Sequence, residues 1–440
     1  MQRPTLWLII GILGICALVT LLSVGGLLAA LAILSALLTP APLEVSSILQ
    51  STGLIALGLG IGVSLALAGW AGWRGRPSRP FKPSRNRWVW LALVPALLIF
   101  IALGAAIGLL PKVISLPVSI SAEAWIQSLL LSPIHILTMS IPSLLMLGLA
   151  GWGLRGTGGT RRDAVAGMTS GGCLGMGISM VAEILVVIAV IIIVVVVVVV
   201  VAMSTPDGIA RIYELSKDMD DPAWQADESN MINLLLSPAI VLPLFGILCV
   251  LVPLMEELFK TLAGAVAGYW IRPHPGRAFF WGVAAGAGFA LAENLLNGAA
   301  GSTETWALLA VARVGTTAMH CLASGILGWG WGQLWTARRP LRLFGSYVAA
   351  VVLHGLWNAL AVSMGYASVI ASMQSEALWG SVSGLVALAI MAILGLLTLS
   401  FFVALFLLAR RLAVQKEDHL QDSFVIPETA PQPPPETLAL

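Results

Sequence analysis

Charge is what this sequence has least of. Only 10% of its 440 residues are charged, and the net charge is +2. A soluble domain carries roughly a quarter charged residues. With 58% hydrophobic residues and a mean hydropathy of +0.96, no globular core could bury this much apolar surface. Lipid must be the solvent for most of the chain. The small net charge, without a basic stripe of interleaved aromatics, excludes nucleic acid as a partner. Cysteine is also scarce. Cys16, Cys173, Cys249 and Cys321 are scattered through apolar segments without a CxxC pair, which excludes a disulfide framework. No HExxH helix is present to fix a metal, and no repeat of fixed period occurs. A signal peptide is excluded too. The apolar run Leu6 to Leu38 after Arg3 far exceeds an h-region of about 7–15 residues, and reads as a retained first span.

What is present is a succession of apolar segments of spanning length. They fall at 6–38, 49–72, 88–110, 126–152, 166–203, 232–252, 254–271, 278–299, 306–334, 343–363 and 379–409. They predict an all-α, polytopic transmembrane helix bundle of about 10 spans. The β-branched run Ile191 to Val201 would read as strand in water, but in lipid an isolated strand cannot satisfy its backbone, so helix is expected. Basic residues at 73–87, 153–165, 272–277, 338–342 and 410–416 mark cytoplasmic segments. Counting from the two ends disagrees by one crossing at the acidic insert 204–231. Either 166–203 is a hairpin or a segment near 232–252 is re-entrant.

Ionisable residues inside spans are costly and raise a functional hypothesis by default. Four groups lie in the second half. Glu256 and Glu257 follow Pro253, whose ring suggests a helix start or break. Lys260 lies i+4 and i+3 from them and can pair with either. Adjacent carboxylates suit acid–base chemistry, and the plain alternative is an interfacial cap with a solvated salt bridge. Glu293 and Asn294 follow Gly286 and Gly288, which allow close helix packing. The alternative there is a buried acid with a helix partner. Arg313 and His320 share a stripe with Thr316, Thr317 and Ser324, lining either a cavity or a hydrogen-bonded packing face. His354 and Asn358 point the same way one turn apart, so Asn358 could orient the imidazole or bind a substrate carbonyl. The second-half orientation places all four groups in the outer halves of their helices. Glu183 and His135 lack such companions and are expected to be structural.

The strings PLMEELFK (253–260), GAGFALAEN (286–294), RVGTTAMH (313–320) and HGLWN (354–358), in this order, resemble the PrsW family of intramembrane proteases, related to the CAAX prenyl endopeptidase and Abi group. The resemblance covers about 232–365. Asn297 departs from the family, which often has an aromatic there. The resemblance implies a catalytic core at 232–365, with an N-terminal transmembrane region at 1–203, the polar loop 204–231, a C-terminal span at 366–411 and a disordered Pro-rich tail at 412–440. It implies cleavage of a membrane-associated protein, such as an anti-sigma-factor-like or other single-span substrate, within the lipid bilayer of a prokaryotic plasma membrane. Glu256 or Glu257 would be the base, with Glu256 favoured. Glu293 and His320 would position water, and His354 and Asn358 would stabilise the oxyanion. Lys260 and Arg313 would hold the carboxylates, and Asn294 would support them. Glutamate chemistry without metal is favoured. A divalent metal such as zinc is the alternative, with Glu257, Glu293, His320 and His354 as candidate ligands. Two rivals remain: a transporter or proton-coupled channel using the same acids and histidines, and a non-catalytic membrane scaffold.

Overall fold

In hydrocarbon a chain satisfies its backbone only as helix or closed barrel, and this chain takes the helix. The structure, a computed structural model, describes residues 3–38, 44–83, 87–113, 120–299, 302–373 and 378–423. Its helices are α1 (Arg3–Leu38), α2 (Val45–Leu57), α3 (Val63–Trp73), α4 (Arg87–Val113), α5 (Ile120–Gly153), α6 (Arg161–Thr169), α7 (Met176–Ser204), α8 (Gly208–Asp220), α9 (Pro222–Ala226), α10 (Glu228–Leu235), α11 (Pro238–Gly246), α12 (Val252–Ile271), α13 (Pro275–Asn297), α14 (Trp306–Ala337), α15 (Pro340–Met373) and α16 (Leu378–Ser423). Among the described residues no strand forms, and one isolated antiparallel bridge joins Pro80 to Thr160. Ten helical stretches among the described residues are long and apolar enough to cross a membrane. The chain is an all-α polytopic bundle and an integral membrane protein.

Three π turns join helices end to end. Gly58–Gly62 unites α2 with α3, Ser170–Gly175 unites α6 with α7, and Ile247–Leu251 unites α11 with α12. The last two resolve the crossing count. Arg161–Ser204 is one stretch rather than a hairpin, and Pro238–Ile271 is one stretch rather than separate segments at 232–252 and 254–271. Pro253 stands in the first turn of α12, the helix start expected there, but the π turn carries the span on without a break. A proline inside a helix removes one hydrogen bond and crowds the carbonyl four residues back; here the preceding π turn has already altered the bonding register. With a single crossing there, every basic segment falls on one side, the cytoplasmic one. The acidic insert lies opposite, folded as the short helices α8, α9 and α10. The run Ile191 to Val201 is helical, as lipid demands, and its side chains are exposed around α7. Residues 412–423, expected to be disordered, continue α16 as helix. The rest of the Pro-rich tail, 424–440, lies outside the described residues.

α13 is the central helix. Phe279, Phe280, Val283, Ala284 and Ala287 on it pack with Ala318 and Leu322 of α14, Met146 and Ala150 of α5, and Phe401 and Leu405 of α16. Two glycines of the GAGFALAEN string are sites of close approach to neighbouring helices. A Cβ on Gly286 would stand 2.5 Å from the His320 carbonyl oxygen, and one on Gly288 would stand 1.9 Å from that of Met168. Only a missing side chain lets α14 and α6 come this near, which is the small-residue packing typical of membrane helices. Gly286 thereby sets the α13–α14 spacing at the level of His320.

Candidate active site

α12, α13, α14 and α15 bring the four sequence groups into one buried cluster. Its centre is the Lys260 ammonium, fully removed from solvent. Lys260 Nζ lies 2.8 Å from Glu256 Oε2, 2.8 Å from Glu257 Oε1 and 2.8 Å from His320 Nδ1. It also sits 4.1 Å from the Phe289 ring centroid, where the π face adds to the attraction. A buried ammonium costs several kcal/mol unless paired, and here two carboxylates offset it.

The two adjacent glutamates are not equivalent. Glu257 is fully enclosed. Its Oε1 accepts from Lys260 and lies 2.9 Å from His354 Nδ1, and its Oε2 accepts from Ser324 Oγ at 3.3 Å. Glu256 keeps a little exposure, 8%. Its Oε2 is buried and forms an ion pair with Lys260 Nζ at 2.8 Å. Behind the cluster, Glu293 Oε2 lies 2.8 Å from His320 Nε2, and Oε1 accepts from Arg313 at 2.7 Å and from Asn297 at 3.4 Å. Asn297, at the aromatic position of the family, therefore braces the Glu293 carboxylate. Asn294 Nδ2 donates to Thr317 Oγ1 at 2.8 Å, tying α13 to α14.

Each imidazole thus has a carboxylate on one nitrogen. A carboxylate accepts, so Nε2 of His320 and Nδ1 of His354 carry protons towards it. The remaining lone pairs are His320 Nδ1, facing Lys260, and His354 Nε2, 3.8 Å from Glu256 Oε2. The rings meet edge-to-face at 4.9 Å. One donor atom from each of Glu256, His320 and His354 lies within 4.8 Å of the others. These residues could hold a metal ion. Carboxylate-backed histidines are the usual support of metal-ligating imidazoles, and the Glu256 carboxylate brings the group to the three protein ligands of a catalytic set. The set differs from the expected one. Glu256 belongs to it, whereas Glu257 and Glu293 stand behind the imidazoles, their oxygens already engaged.

Three further positions differ from expectation. The glutamate pair lies near the middle of the stretch Pro238–Ile271, not at an outer helix end, because the π turn makes α11 and α12 continuous. Asn358 Nδ2 donates to the Leu248 carbonyl at 2.8 Å, inside the π turn, instead of orienting His354. Asn358→Ala is expected to strand that carbonyl and cost about 1–3 kcal/mol of stability. A thermal unfolding midpoint equal to the wild type would contradict this. Thr316 leaves the stripe and accepts from Trp357 Nε1 at 3.2 Å.

Glu183, expected to be structural, joins the cluster. From α7 its carboxyl interacts with those of Glu256 and Glu293 and with Lys260. The signal was its position inside an otherwise apolar run, but nothing local says which helix it faces. His135 is structural as expected. It bridges the Leu295 carbonyl and Trp306 Nε1, each at 3.1 Å.

A family model described as PrsW family intramembrane metalloprotease matches residues 183–406. That stretch starts at Glu183 and takes in every residue of the cluster. No curated protein and no solved structure matches the chain.

Proposed function

The chain belongs to the PrsW family of intramembrane metalloproteases, and on that premise we propose that it hydrolyses peptide bonds of membrane-associated proteins at the Glu256–Lys260–His320–His354 centre. The observation that carries the assignment is the convergence of Glu256, His320 and His354, whose donor atoms lie within 4.8 Å of one another inside the bundle. Glu256 is the member of the glutamate pair that keeps some exposure, 8%, so it is the one placed to meet water.

Glu256, His320 and His354 would hold a divalent metal such as zinc. When bound, such an ion supplies a Lewis acid and lowers the pKa of a coordinated water. The chain's own residues do the rest. Glu257 holds His354 by Nδ1, and Glu293 holds His320 by Nε2, so the lone pairs are left on His354 Nε2, 3.8 Å from Glu256 Oε2, and on His320 Nδ1, which faces Lys260. Arg313 keeps the Glu293 carboxylate in place. Lys260 neutralises the glutamate pair and shares Glu256 and His320 with any bound metal, so the ammonium and a dication compete for the same donors. In hydrolysis the water oxygen bonds to the substrate carbonyl carbon, the C–N bond breaks, and a water proton ends on the leaving amine. Glu256 relays that proton when it serves as base. The CAAX prenyl endopeptidase kinship would place the same acid–histidine pattern in a wider group.

His354→Ala tests the proposal. Comparative membrane proteomics should find single-span proteins truncated by the wild type and intact with the variant. Purified wild type dialysed against zinc should retain more of it than the variant. Identical peptide profiles would sink the protease assignment of this cluster, and equal zinc retention would sink the donor set.

A further inference from the structure

The N-terminal helices lie outside the matched family region, and they form a cavity with α13. It measures about 920 Å³, within the range that encloses a whole ligand. The mouth carries Arg79, Lys82 and Arg161, all exposed, and no acidic side chain lines it among the described residues. The three cations are placed by backbone pairing. Phe81 N donates to the Gly159 carbonyl and Arg161 N to the Arg79 carbonyl, both at 3.0 Å. This pairing clamps the 73–87 loop to the start of α6, on the cytoplasmic side.

Below the mouth the walls turn apolar. Leu147, Leu144 and Ile136 descend α5, and Leu291 and Leu295 of α13 close the far end. From Leu147 to Ile136 the descent is about 16 Å at 1.5 Å per residue, about half of a hydrocarbon core of about 30 Å. A cationic rim at the cytoplasmic interface above a long apolar shaft matches one ligand chemistry. The rim takes a phosphate-bearing headgroup, and the shaft takes an acyl chain. Basic pockets between membrane helices on this side are anionic-lipid sites in general.

We propose that this cavity binds one anionic phospholipid of the cytoplasmic leaflet, with its phosphate on Arg79, Lys82 and Arg161 and an acyl chain along α5. The occupant would touch α13 at Leu291 and Leu295, which flank Glu293. The site would thus be a lipid buttress of the helix that carries the cluster.

The test uses the purified full-length protein and lipid retention by native mass spectrometry, so it does not depend on proteolysis. Phosphatidylglycerol should be retained in preference to phosphatidylcholine. The triple variant R79Q/K82Q/R161Q changes only exposed side chains. It should weaken phosphatidylglycerol binding on the order of a hundredfold, from the strength of single basic contacts at a membrane surface, and leave phosphatidylcholine unchanged. Leu144→Trp, which fills the shaft, should reduce both, provided its unfolding stays cooperative. Inorganic phosphate should not displace the lipid. Equal retention of the two lipids, or full retention by the triple variant, overturns the proposal. Displacement by inorganic phosphate overturns it too, in favour of a site for free phosphate.

Discussion

Glu256→Gln is expected to lower cleavage of a single-span substrate in proteoliposomes by about 10²–10⁴-fold, the range a positioned acid–base group contributes. The variant should stay folded and inserted. Glutamine preserves the side-chain volume and leaves an amide oxygen facing the Lys260 ammonium, which keeps the Glu257 carboxylate as its counter-ion. Glu257→Gln should behave differently. That carboxylate binds Lys260, His354 and Ser324, so its loss should reduce activity and thermal stability together. Zinc retention separates the duties of Glu256, because a base can be lost with the metal still bound and a ligand cannot. A Glu256→Gln protein that cleaves within a few-fold of wild type removes Glu256 from the chemistry.

Lys260→Met should destabilise the protein by about 3–5 kcal/mol, the usual cost of breaking a buried ion pair from one side. The ammonium holds two carboxylates and an imidazole at 2.8 Å, and methionine leaves those carboxylates without compensation. Combining Lys260→Met with Glu257→Gln should cost less than the sum of the single changes, since the second removes part of the charge the first exposes. Zinc retention should rise in Lys260→Met, because the competing cation is gone. The measurement is chemical or thermal unfolding of all three variants in one detergent. Strict additivity, or an unchanged midpoint for Lys260→Met, would contradict the central place given to the ammonium.

Much of this architecture follows from local sequence. Apolar runs of spanning length dictate helices, because lipid offers the backbone no other partner. That holds even for the run Ile191 to Val201. The four polar groups were legible for the same reason: an acid, lysine or histidine in such a run is costly enough to be conspicuous. Gly286 and Gly288 likewise announced close packing, and the basic loops announced orientation.

The tertiary structure decided which of those groups meet, and how. Sequence spacing puts Lys260 within reach of both Glu256 and Glu257, but only α14 and α15 determine the difference between them. Ser324 and His354 engage the oxygens of Glu257, whereas Glu256 pairs with Lys260 and keeps a little exposure. Glu183 was expected to be structural, and only the packing of α7 against α12 brings it to the cluster. Asn358 was spent on the Leu248 carbonyl because a π turn, invisible in hydropathy, stands opposite it. The same turn made one span out of two segments and moved the glutamates to mid-helix. Hydrophobicity and spacing act along one helix, so the sequence by itself determined the bundle and the residues available for chemistry, while the number of crossings around the acidic insert waited for the structure. Hydrogen-bond partners within about 3 Å depend on how separate helices are rotated and spaced, and only packing fixes that.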